Sequence, residues 1–146
     1  MKANDTVRYG RESALEVSEF KRVLEESGLG TTRPVCDEAR LSQMLLVSNL
    51  IITARLDQAD NPAGRTPLLG VARCLTDFSW CCYVSELAVS ASAQGLGIGK
   101  GLLDAIRREL GPAVSVILVS VPDAVGFYQK SGMATMPNAF CFQRER

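Results

Sequence analysis

The feature that most limits what this chain can fold into is Gln94-Gly95-Leu96-Gly97-Ile98-Gly99-Lys100, a glycine-rich turn well past mid-chain. It stands between a strand expected to end near Val89 and a helix expected to run to Leu110. Glycines at alternate positions let the backbone adopt conformations closed to residues with a Cβ, so successive N–H groups can converge on one anion. The helix start adds unpaired first-turn donors and a positive dipole end of about half a charge. A phosphate-bearing ligand is implied, with Lys100 as a further cation. A P-loop would need glycine at the place of Gln94 and Ser or Thr at the place of Gly101. The dinucleotide fingerprint meets Lys100 at its third glycine when read from Gly95, and Leu102 when read from Gly97. The pattern that fits is Gln-x-x-Gly-x-Gly, on Gln94, Gly97 and Gly99. A glycine-rich turn without a ligand is the plainer alternative, and the flanking elements speak against it.

With 146 residues, 47% of them hydrophobic, the chain suits one core and a single domain over 1–146. Sixteen basic and sixteen acidic residues cancel, which removes the electrostatic footprint expected for nucleic acid or an anionic membrane. No run of about 18 apolar residues could span a bilayer, and the polar start Met1-Lys2-Ala3-Asn4-Asp5 is not a signal peptide, so a cytoplasmic location is expected. The five cysteines, at 36, 74, 81, 82 and 141, show no Cys-x-x-Cys spacing, and histidine is absent. No metal site and no histidine-based triad is expected, and the thiols read as free and packed like small hydrophobes.

Periodicity predicts a strand at Thr6 to Tyr9, then a helix ending at Gly28 with Phe20, Val23 and Leu24 on one face and Ser13 or Ser18 as its cap. Asp37 is expected to cap a second helix carrying Leu41, Met44 and Leu45, which stops near Ser48-Asn49. Leu50 to Leu56 and Leu68 to Leu75 read as a hairpin around a polar loop at 57–67. A long strand covers Trp80 to Val89. The helix after the glycine turn aligns Leu102, Leu103, Ile106 and Leu110 and ends at Gly111-Pro112. Val114 to Val119 is nearly all apolar, as for a strand covered on both faces, and closes a parallel crossover. Pro122 opens a short helix through Tyr128 to Gly132, and Phe140 to Gln143 is expected to close the sheet.

Val84-Ser85-Glu86-Leu87-Ala88-Val89, the turn from Gln94 to Lys100, and Phe127-Tyr128-Gln129-Lys130-Ser131-Gly132-Met133 together resemble the GNAT superfamily of acetyl-CoA-dependent N-acetyltransferases. The resemblance covers nearly the whole chain. The segment from Phe20 through Arg33-Pro34 to Leu50 is similar to small bacterial members whose acceptor is unassigned. It implies an α/β (α+β) GNAT fold, with a mixed sheet of about six or seven strands, about four helices, and strands near 80–89 and 114–119 splayed to hold the cosubstrate.

By that resemblance, acetyl-CoA is the cosubstrate and a primary amine of a small molecule the acceptor, with direct transfer in a ternary complex. Backbone groups of Leu87, Ala88 and Val89 are expected to pair with the pantetheine arm. Gln94, Gly95, Leu96, Gly97, Ile98, Gly99 and Lys100 are expected to hold the pyrophosphate. Tyr128 is expected near the sulfur, protonating the leaving thiolate, or else as a packing residue. With no histidine, the expected route for the amine proton is a carboxylate acting directly or through water. Glu86 is the best placed by sequence, although strict alternation puts it on the face of Val84 and Ala88, opposite Tyr83, Ser85 and Leu87; a bulge would change that parity. Glu86 as an ordering or surface residue is the equal alternative. Asp77 is a second candidate carboxylate for the acceptor, or a turn cap. Phe78 and Arg33 are expected at the acceptor side, where no charge cluster dictates a substrate. Many relatives carry Asn seven residues before the tyrosine, where this chain has Val121. A non-catalytic acyl-CoA sensor is the alternative function, and half-exposed strands at the C-terminus leave a homodimer open.

Overall fold

The computed structural model describes residues 6–57 and 66–145. Five strands form one sheet in the order β1-β2-β3-β4-β5: β1 Thr6–Arg11, β2 Leu50–Asp57, β3 Leu68–Thr76, β4 Cys81–Val89 and β5 Ser115–Leu118. The first four pair antiparallel, and β4 pairs with β5 in parallel. Four helices complete it, α1 Val17–Ser27, α2 Glu38–Val47, α3 Ile98–Leu110 and α4 Val125–Lys130, with short 3-10 turns at Leu29–Thr31, Ala91–Ala93 and Pro122–Ala124.

The amphipathic stripes decide the layers. Phe20, Val23 and Leu24 of α1, with Leu41 and Leu45 of α2, bury themselves against Ile51, Leu68, Val71 and Ala88 on one face of the sheet. Leu102, Leu103, Ala105 and Ile106 of α3 cover the other face, against Leu50, Ile52, Ala72, Cys74 and Val84. Each fully buried Leu, Ile, Val or Phe among them stabilises the fold by about 1.5–3 kcal/mol relative to exposure. Gly28 (φ 90°) ends α1 in the left-handed conformation that a side chain resists. The Asp37 carboxylate accepts from Arg40 N at 3.0 Å, so the expected cap of α2 is in place. Neither Ser13 nor Ser18 caps α1, which opens at Glu16.

The C-terminal third departs from expectation. Among the described residues the sheet has five strands rather than six or seven, because 140–143 joins no ladder. β5 is an edge strand with half-buried Val116, Ile117 and Leu118, not one covered on both faces. The expected 57–67 loop falls largely outside the described residues.

β4 carries an irregularity that matters for function. Arg73 pairs with Glu86 and Cys74 with Val84, so Ser85 has no partner on β3 and forms a bulge. Before it, Cys82 and Val84 point to the α3 side; after it, Leu87 and Val89 do, and Ala88 points to the α1/α2 side. Glu86 therefore shares a face with Ala88 but not with Val84, and strict alternation fails at this position.

Candidate functional site

The parallel ladder runs from Cys81↔Ser115 to Val84↔Leu118 and stops there, while β4 continues to Val89. The two strands splay as the family resemblance implies. Among the described residues, Ser85 to Val89 consequently have no strand on the β5 side, leaving edge backbone for an extended, amide-bearing ligand. The gap opens a cleft of about 1380 Å³, walled by the 29–34 turn, α2, β4, the glycine turn, the 118–124 segment and α4. Ordinary small-molecule pockets span about 300–1,000 Å³, so a long ligand and a second reactant fit together.

Gly95 (φ 81°) and Gly97 (φ 77°) take left-handed backbone, and nothing lies within 4 Å of a Cβ built on either, so conformation alone demands glycine there. Gly99 is different: a Cβ would stand 2.9 Å from Phe127 Cζ. Gly97 begins α3 with no side-chain cap, and Gly97, Ile98, Gly99 and Lys100 all line the cleft. The uncapped first turn can therefore receive an anion. Gln94 Nε2 donates to Val89 O at 3.3 Å and ties the turn to the end of β4. Lys100 pairs with Asp104 at 3.1 Å on the surface, its side chain 65% exposed. Of the expected cosubstrate residues, Leu87, Val89, Gln94, Gly95, Gly97, Ile98, Gly99, Lys100 and Tyr128 line the cleft; Ala88 and Leu96 do not.

On the opposite wall sits a buried charge cluster. Glu86, 1% exposed, accepts from Arg73 Nε, from Arg73 Nη2 at 3.2 Å, from Arg33 Nε at 2.8 Å and from Ser85 Oγ at 2.6 Å. Arg33 Nη2 also donates to Ser85 O at 2.7 Å, and Arg73 donates to Ser85 Oγ at 2.7 Å and Ser48 Oγ at 3.0 Å. Burial alone would raise the Glu86 pKa; the hydrogen bonds from Arg73, Ser85 and Arg33 outweigh it and hold the carboxyl below its ordinary range. Glu86 is a carboxylate with both oxygens engaged, and two guanidinium groups face it. This wall of the cleft, where Arg33 was expected beside the acceptor, holds a charge cluster that the sequence reading did not foresee.

Tyr128 lines the cleft, its ring edge-on to Phe127 at 5.0 Å. Burial raises the pKa of the phenol, so it keeps its proton at neutral pH. Asp77 and Phe78 do not line the cleft. The Asp77 carboxylate accepts from the backbone N–H groups of Ser79, Trp80 and Cys81 at 2.9, 2.7 and 3.1 Å, which is the turn-capping role. Phe78 (φ 58°) lies beneath Arg11, 5.3 Å from ring centroid to guanidinium.

Over residues 33–144 the chain matches the model of the acetyltransferase (GNAT) domain. This protein belongs to the GNAT acetyltransferase family. Among its relatives, the chloroplastic serotonin N-acetyltransferase 2 of rice (Oryza sativa subsp. japonica) is 31% identical over 92% of this chain, which spans 66% of that protein's length. The GNAT-family acetyltransferase of Streptococcus pneumoniae TIGR4 superposes with a TM-score of 0.70 at 21% identity, over 96% of this chain and 100% of the other. An aminoglycoside N-acetyltransferase, solved in complex with CoA, shares the fold with a TM-score of 0.68 at 12% identity, over 100% and 99% of the two chains.

Within this GNAT domain the sequence did not single out Arg73 or Arg40, both of which line the cleft. An arginine inside the apolar run Leu68 to Leu75 was the available signal for Arg73, since a buried charge needs a partner. Its partner, across the bulge, was not visible. Among the described residues no cluster of His, Cys, Asp or Glu is arranged to hold a metal ion.

Proposed function

We propose that this GNAT domain is an N-acetyltransferase that moves an acetyl group directly from acetyl-CoA to a primary amine of a small molecule. The observation that carries the reading is the coincidence, in one cleft, of an unpaired β4 edge, an uncapped glycine-turned helix start and a protonated phenol. These residues fit a diphosphate joined to an amide-bearing arm. The amides of Gly95 to Lys100 would hold the diphosphate, and the free edge of β4 would hold the arm. The ligand supplies the activated acyl group; the chain orients it and manages protons.

A backbone N–H on the unpaired β4 edge would stabilise charge developing on the thioester oxygen, an effect worth about 3–4 kcal/mol in other acyl-transfer sites. Tyr128 gives its proton to the departing thiolate. The amine proton leaves to water, because Glu86 is ionised but fully engaged. Glu86 thus takes the ordering role, clamping Arg33 and Arg73 at the acceptor wall.

The engaged state of Glu86 also favours a second reading, an acyl-CoA sensor without turnover. Thermal unfolding with acetyl-CoA, CoA, ATP and NAD tests the ligand class: at 100 times its dissociation constant a ligand adds about 2.7 kcal/mol of stability. A shift with the CoA compounds alone supports the reading, and a larger shift with ATP or NAD overturns it. Thiol release across a panel of amines then separates enzyme from sensor.

A further inference from the structure

The charges on the Glu86 wall of the cleft do not balance. Glu86 brings one carboxylate against the guanidinium groups of Arg33 and Arg73, and Arg73 is 6% exposed, so water screens little of the excess. Arg40 adds a third cation. Arg40 and Met44, four residues apart on α2, share a helix face and both line the cleft, and Met44 O accepts from Arg73 Nη1 at 3.4 Å. Arg40 therefore stands about one helical turn from the Arg73–Glu86 cluster. It is exposed, and among the described residues its guanidinium makes no hydrogen bond or ion pair. The one other carboxylate lining the cleft, among the described residues, is Asp123, on the separate 118–124 segment.

Building on the acetyl-transfer reading above, we propose that the acceptor is an amine that also carries an anionic oxyacid group, a carboxylate or a phosphate, and that Arg40 grips this group. A guanidinium fork matches either group with two parallel hydrogen bonds, and Arg33 and Arg73 supply the field behind it. The phosphates of the cosubstrate do not use this charge. The acetyl-transfer reading puts the diphosphate at the glycine turn with Lys100, beyond Val89, whereas the arginines meet β4 at Ser85 and Glu86. Four residues of strand, about 13 Å, lie between Ser85 and Val89. Positive charge also suits the chemistry. The amine must attack unprotonated, and nearby cations disfavour its ammonium form. Because Glu86 is fully engaged, this field is the wall's means of helping the amine give its proton to water.

The test uses amines paired so that the members differ in the anionic group: 4-aminobutyrate with butylamine, phenylalanine with phenethylamine, and O-phosphoethanolamine with ethanolamine. Thiol release from acetyl-CoA is measured for each, together with the melting temperature of the chain with each amine, CoA present and absent. In at least one pair the anionic member should exceed its partner by about tenfold or more in kcat/KM, as a charge-assisted fork supplies, and should raise the melting temperature where its partner does not. The pair that responds tells carboxylate from phosphate. Arg40→Gln should cost the anionic member about tenfold more than its partner, the loss falling on KM, and should abolish its melting shift. If Arg40→Gln fails to fold, Arg40→Lys takes its place and should give a smaller loss of the same kind. Uncharged partners used as well as the anionic members, or both members weakened alike in the variant, would overturn the anion site while leaving acetyl transfer standing. A melting shift that depends on Arg40, with no thiol release from any amine, would uphold the anion site and sink the transferase reading. Neither shift nor preference in any pair would overturn the proposal.

Discussion

Arg33 and Glu86, separated by 53 positions in the chain, meet with Arg33 Nε 2.8 Å from Glu86 Oε2, fastening the turn after α1 to the strand that borders the cleft. Arg33 is 22% exposed and Glu86 is 1% exposed, so little solvent screens the pair. Glu86→Gln would leave Arg73 buried without a counter-charge, and such a loss costs about 3–5 kcal/mol. Urea unfolding at neutral pH should show it as a lower midpoint with an unchanged slope.

The same carboxylate sets an acid dependence. Its folded pKa lies below the unfolded value of about 4.3, so its contribution is complete above that pH and lost as pH falls through the folded value. The stability gap between the native chain and Glu86→Gln should be constant from pH 7 to 5 and close in more acid solution. A gap that persists unchanged at pH 2 would contradict this.

Tyr128→Phe removes the proton donor and keeps the ring packing against Phe127. Turnover should fall by about a hundredfold, within the range for a positioned acid, while the acetyl-CoA-induced thermal shift stays the same. Because burial raises the phenol's pKa, the alkaline limb of the native rate profile should lie above the ordinary value of about 10.

Gly70 lies directly under α3: a Cβ there would meet Ile98 Cγ2 at 2.8 Å and Ala88 O at 3.3 Å. Gly70→Ala should cost about 1–3 kcal/mol as overpacking, read from denaturant unfolding. Its effect on the acetyl-CoA thermal shift should also be adverse, since Ile98 opens the helix that ends the glycine turn.

Asp77→Ala should separate the turn from the cleft. The variant loses three acceptor contacts to backbone N–H groups, so its melting temperature should drop, while the KM for the amine stays at the native value. A raised KM with unchanged stability would return Asp77 to the acceptor site.

Much of this was legible because it is local. Helical stripes at Phe20, Val23 and Leu24, the Asp37 cap, and the glycine spacing at 95, 97 and 99 need only neighbours in sequence to be read. What escaped depends on register. The position of Glu86 turned on one unpaired residue in β4, and Arg73 found its partner directly opposite on the neighbouring strand. The expected closing strand at Phe140 failed for a related reason: alternation shows that a segment suits a sheet, and says nothing of which edge it meets.

The bulge at Ser85 has one more implication. Cys82 and Val84 on one side of it, and Leu87, Ala88 and Val89 on the other, already lie on the faces that an uninterrupted strand lacking residue 85 would give them. β4 is thus one residue longer than its sheet requires. What the surplus residue provides is a carbonyl for Arg33 and a hydroxyl for Arg73 and Glu86. Excising it should yield a protein that folds as before with a slackened acceptor wall.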